Sequence, residues 1–123
     1  MLVVTKELLD LNPNLIFVFG DNLKRVGRGG AAILTDHPQS YGFITKKAPT
    51  HNDQDYYKPE EYRIVFLEEC AKLRQEMVKF LDRTFIVSAV GAGLANKFGI
   101  FEQVIKPNFK KLFPSIGNVI YLW

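Results

Sequence analysis

Asp21 and Asn22 stand at the end of an apolar run, Leu15-Ile-Phe-Val-Phe-Gly20, and Gly27-Arg-Gly-Gly-Ala-Ala32 follows shortly after. A carboxylate beside a carboxamide at a strand end can accept from a sugar hydroxyl, hold a water or act as a general base. Glycines that open a helix expose backbone N–H groups and the positive end of the helix dipole, a setting for an anion. Gly27, Gly29 and Gly30 would let a phosphate reach the main chain, and Arg25 and Arg28 would add charge-assisted hydrogen bonds. A second apolar run, Phe85-Ile-Val-Ser-Ala-Val90, leads into Gly91-Ala-Gly-Leu-Ala-Asn96. Gly91, Ala92, Gly93 and Leu94 form a second candidate phosphate loop, and Gly20 belongs to the first. The plain alternative is that Asp21 and Asn22 satisfy their own turn and that the glycines only tighten two strand-to-helix connections.

If the two apolar strands are parallel neighbours, both loops open at the carboxyl edge of one sheet, where open α/β sheets bind ligands. Neither loop is a Walker loop, which needs Gly-Lys-Ser/Thr, nor the Gly-x-Gly-x-x-Gly of dinucleotide-binding folds. The usual ATP and NAD readings therefore lack their motifs. Thr45, Lys46 and Lys47 could face the same cleft, against solvated loop lysines as the simpler account. His51, Asp53 and Asp55 could supply a His–Asp acid–base pair from a lid-like loop. His37 reads as a helix-end residue, Cys70 as core, and Ser88 as a strand residue without a catalytic partner.

Alternating elements must position these residues. Residues 2–4 read as a short edge strand, and Thr5 caps a brief helix carrying Leu8 and Leu9 that Asn12-Pro13 stops. Strands are expected over 15–19, 41–45, 85–90 and 119–123. Gly27 to about His37 reads as a loop feeding a helix, and 46–58 as a long polar loop. Pro59 opens the longest helix, with Tyr62, Phe66, Cys70, Leu73, Met77 and Phe80 on one face. A further helix spans about Asn96 to Phe113, with Pro107 as a kink or break. This order argues for a single domain over 1–123, an α/β three-layer sandwich around a mainly parallel (mixed) sheet.

With 123 residues the chain suits one domain with a real core, rich in rings: ten Phe, five Tyr and one Trp. One Cys excludes an intrachain disulfide, and two distant histidines make a poor zinc site. No metal or cofactor is expected. The net charge of +3 comes from scattered residues, so nucleic acid is not indicated as a partner. No signal peptide or membrane-length apolar run is evident, and a cytoplasmic domain is expected. The oligomeric state is left open.

Phe17-Val-Phe-Gly-Asp-Asn22 with Gly27-Arg-Gly-Gly-Ala-Ala32, then Tyr41-Gly-Phe-Ile-Thr-Lys-Lys47, then Val90-Gly-Ala-Gly-Leu-Ala-Asn96, resembles a small uncharacterised phage and bacterial family. That family is similar to macro domains, the α/β modules that bind ADP-ribose. The resemblance implies a macro-domain-like fold, with Asn22, Gly27, Gly29 and Gly30 near a distal ribose and Gly91, Ala92 and Gly93 around a diphosphate. The Asn-Ala-Ala-Asn run of macro domains is replaced here by Gly20-Asp21-Asn22, and the early Asp that contacts adenine has no counterpart. The expected ligand is a phosphorylated nucleoside compound, ADP-ribose or a relative. Hydrolysis at the distal ribose or its phosphate would make the domain an ADP-ribosyl hydrolase or ADP-ribose phosphatase, with Asn22 positioning and Asp21 as base. The alternatives are a non-catalytic nucleotide sensor or sequestering module, and a nucleic-acid or protein interaction domain with structural glycines.

Overall fold

The computed structural model describes residues 3–26, 34, 36–115 and 117–123. Thr5 accepts from the Leu8 N–H at 3.1 Å and so caps α1, Lys6–Leu11, which buries Leu9. Four strands follow from the β-branched and aromatic runs: β1 Leu15–Asn22, β2 Ser40–Lys46, β3 Thr84–Val87 and β4 Val119–Tyr121. α2, Pro59–Lys79, begins at a proline that needs no N–H partner, and Glu61 accepts from the Lys58 N–H at 3.0 Å. α3, Lys106–Leu112, continues from a π-helical turn at Phe101–Ile105.

The sheet order is β2-β1-β3-β4, and each neighbouring pair is parallel, so the expected mixed sheet is an all-parallel one. Parallel strands cannot be joined by tight hairpins, which is why long connections separate them. The chain steps one way from β1 to β2, then back across β1 to β3 and on to β4. Crossovers of one hand that run in opposite directions fall on opposite sheet faces. The cores agree. Ile16 and Val18 pack with Phe66, Leu73, Val104 and Phe109 from α2 and the π–α3 segment, whereas Phe17 and Phe19 pack with Leu9 and Leu34.

β2 is an edge strand whose outward backbone groups need partners. Glu69, 3% exposed, accepts from the Ile44 N–H at 2.7 Å, and the Tyr62 hydroxyl donates to the Ile44 carbonyl at 2.5 Å. Burial raises the Tyr62 phenol pKa, with Glu69 nearby adding to the rise. Two residues on the inner face of α2 thus close the sheet edge.

Several expected boundaries move. Val3 and Val4 form no strand, and residue 2 lies outside the described set. β1 runs three residues past Phe19, while β3 stops at Val87. The helix expected from Asn96 begins later because Gly99, at φ +81°, turns the chain first. Asn96 instead caps that start, accepting from the Phe101 N–H at 2.9 Å and donating to Glu102. Pro107 lacks an N–H, and the helix adapts with the wider π turn, in which the Lys106 N–H reaches the Phe101 carbonyl.

Candidate functional site at the sheet edge

Near Gly20 the ends of β1 and β2 meet the loop that follows β3. A Cβ at Gly20 would sit 3.2 Å from Thr45 Oγ1 and 3.5 Å from the Gly91 nitrogen, so the missing side chain eases the close approach of β2 and this loop. Gly91 has φ +80°, and a Cβ there would lie 2.5 Å from Ile105 Cδ1. Only glycine suits both its backbone and its packing. Past β3, Ser88 stays tied to β1: its N–H and its hydroxyl both donate to the Val18 carbonyl, at 3.1 and 2.8 Å. The second loop then turns twice, through the Ala92 N–H to Ala89 and the Asn96 N–H to Gly93. Leu94 is 68% exposed at its tip, and among the described residues nothing lies within 4 Å of a Cβ added at Gly93. This loop therefore does not open straight into a helix N-terminus; Asn96 to Gly99 intervenes.

At the β1 end the side chains are engaged. The Asn22 amide donates to the Val26 carbonyl at 2.7 Å, and its oxygen accepts from the Lys24 N–H at 3.0 Å. Asp21, 7% exposed, accepts from the Asn22 N–H at 2.8 Å and from Arg25 Nη1 at 3.2 Å. Arg25, at φ 55°, also donates to the Gly42 carbonyl at 2.9 Å. Gly42 makes room for this, since a Cβ there would lie 2.4 Å from Asp21 Oδ2. Arg25 is thus bound to the strand end. Gly27, Arg28, Gly29, Gly30 and the residues through Ile33 lie outside the described set; Leu34 is buried against Phe17 and Phe19.

β2 carries a register shift opposite Asp21 and Asn22, which pair with Ile44 and Lys46. Thr45, between them, is buried and donates to the Asp21 carbonyl at 3.3 Å. Lys46 is also buried; it donates to the Thr50 carbonyl at 2.8 Å and lies 4.4 Å from the Tyr56 ring centroid. Lys47 pairs with Glu61 at 3.1 Å. The 46–58 segment is stitched down and not a loose lid. Lys46 bridges Tyr56, the Lys47 N–H reaches Asp55, and a 3-10 turn covers Asp53–Asp55. The Thr50 hydroxyl and the Asn52 N–H hold the Asp55 carboxyl below its ordinary range, the hydroxyl contributing most. His51 bonds the Tyr56 hydroxyl at 3.1 Å and Asp53 pairs with Lys97, so the acid–base pairing of His51 with Asp53 that the loop could have supplied is not present.

Of the remaining candidates, His37 was expected at the end of a helix that lies, apart from Leu34, outside the described residues; its N–H donates to the Leu34 carbonyl at 2.9 Å. Its Nε2 lies 2.8 Å from Asp10 of α1, and its Nδ1 accepts from the Gln39 N–H. Cys70 is buried, and desolvation pushes its thiol up to about 12. Glu69 was missed because an acidic residue in a helix reads as solvated. Its spacing of three from Phe66 and seven from Tyr62, both on the buried face, was the available signal.

A model described as a family of unknown function (DUF7831) matches residues 2–98. No curated protein and no solved structure matches the chain. Among the described residues, no helix is long and apolar enough to cross a membrane.

Proposed function

The chain belongs to this family of unknown function, and we propose that its domain binds a phosphorylated nucleoside compound, ADP-ribose or a relative, over the ends of β1 and β3. The observation that carries the proposal is the parallel pairing of β1 with β3 at the point where the strand order reverses. In open α/β sheets the connections on either side of such a switch point leave on opposite faces and open a crevice. The loop after each of these strands is rich in glycine. The backbone of Gly91, Ala92 and Gly93 would receive a phosphate, with Gly27 to Gly30 closing from the β1 side. Apolar contacts on both sheet faces support a three-layer, macro-domain-like arrangement.

Binding without turnover is the better-supported form of this reading. A base at Asp21 would have to leave Arg25, and an Asn22 amide that positions a ribose would have to release Val26. Both groups instead shape the strand end on which the first glycine loop begins.

Titration calorimetry with ADP-ribose, ADP and inorganic phosphate tests the proposal. Heat with ADP-ribose, weaker heat with ADP and little with phosphate are expected. No heat with any of them would remove the ligand site. Incubation with ADP-ribosylated protein tests turnover: release by the wild type but not by Asn22→Ala would make the domain a hydrolase.

A further inference from the structure

A phosphate on the β3 loop needs a cation to offset its charge, and several cations at this edge are already engaged. Arg25 is bound to Asp21 and Gly42, Lys46 is buried between Thr50 and Tyr56, and Lys47 pairs with Glu61. Lys24 and Lys58 are exposed but belong to other segments. Within residues 88–99 the one charged residue is Lys97. It follows directly on the turn in which the Asn96 N–H reaches the Gly93 carbonyl at 3.0 Å. Such a turn keeps its outer Cα atoms within about 7 Å, and the next Cα is about 3.8 Å on, so the Lys97 Cα lies within about 11 Å of that of Gly93. Gly93 and Leu94 are exposed, and among the described residues nothing accepts from their N–H groups. Consecutive free backbone donors with a flexible ammonium beside them are the parts of an anion site.

The present contacts of Lys97 are ones a ligand can replace. Its ammonium pairs with Asp53, and the two side chains are 43% and 78% exposed. It also lies 5.3 Å from the Tyr56 ring centroid and 5.7 Å from that of Phe98, two rings that meet edge to face at 6.2 Å. An ion pair so open to water contributes little, whereas a phosphate offers more charge and more acceptor oxygens than a carboxylate. We propose that Lys97 is a ligand-binding residue, which leaves Asp53 to pair with a phosphate seated on the Gly93 and Leu94 N–H groups. Asp53 is then the competitor that holds the ammonium beside the loop until a ligand arrives. This assignment rests on the nucleotide reading above and supplies the charged group that reading lacked.

Titration calorimetry of the intact chain with ADP-ribose and with ADP tests it. Lys97→Ala should raise both dissociation constants about 10-fold and make binding less sensitive to salt. Asp53→Asn should do the reverse, tightening binding about 2–5-fold, because the competitor is gone. Added to Lys97→Ala, the same substitution should gain little. Lys79→Ala, an equal loss of charge at the far end of α2, should leave both affinities unchanged. Affinities indifferent to Lys97→Ala, or an equal gain from Asp53→Asn with and without Lys97, would overturn the assignment while leaving the nucleotide site standing. A wild type that binds neither compound would overturn the nucleotide reading, and the role of Lys97 with it.

Discussion

The two strand ends on either side of the switch point are built from different materials. At β1 the structure is made by side chains: Asp21 with Arg25, and Asn22 with the backbone of Lys24 and Val26. At β3 it is made by backbone, with Gly91 in a left-handed conformation under Ile105 and Gly93 clear of described neighbours. Side chains that bond one another are spent on the fold. Gly91 is buried and the Ala92 N–H is bound to Ala89, so the approachable main chain of this loop is that of Gly93. In the proposed site the β3 side is therefore the better candidate for contact with a ligand, and the β1 side for holding the strand end in shape.

Substitutions can break or sharpen that contrast. The largest effect is expected for Gly91→Ala, which adds both a strained φ and an overlap with Ile105; a loss of about 2–4 kcal/mol should appear in chemical denaturation. Next, Gly42→Ala would press on the Asp21 carboxylate and the Arg25 guanidinium. A loss of about 1–3 kcal/mol is expected, because a buried carboxylate would be parted from its partner. Asn22→Ala removes two turn hydrogen bonds and should lower the unfolding midpoint by an amount equivalent to about 1 kcal/mol. If the β1 end is structural, nucleotide affinity measured below that midpoint should change little.

Gly93→Ala should be the mildest for the fold, within about 0.5 kcal/mol, since its Cβ meets no described atom. Yet it should weaken nucleotide binding the most relative to its effect on stability. An unchanged affinity in Gly93→Ala would mean that the β3 loop is not where a phosphate approaches, and the contrast would lose its functional meaning.

Much of the framework could be read from residue order. The three–four spacing of Tyr62, Phe66, Cys70, Leu73 and Met77 located the buried face of α2, and all five are buried, whereas Phe80, expected on the same face, caps the helix end and is half-buried. The apolar runs at 15–19 and 85–90 marked the two strands that prove to be neighbours. Boundaries were less legible. Asp21 and Asn22 extend β1 because β2 pairs with them across a register shift, a long-range event that local propensity does not record. Asn96 was expected to open the last helix, which begins only after Gly99. Its role as a cap depends on the turn at Gly99, which had no expected place. Glu69 and Lys46 show the same limit from the opposite side. Each reads as a solvated charge until a partner across the fold takes it: the Ile44 N–H for one, the Thr50 carbonyl and Tyr56 ring for the other.

By itself the sequence marked the four strands, α1 and α2, the buried face of α2, and two glycine-rich loops that follow buried strands. These are local properties, carried by side-chain type and period. The tertiary structure decided that all strands among the described residues are parallel and that β1 and β3 lie side by side. It also decided that Gly20 lies where the ends of β1 and β2 meet the loop after β3, and that Asp21 and Asn22 bond within their own turn. Those outcomes depend on partners distant in the chain, whose positions are set only when packing and hydrogen-bond satisfaction are met together.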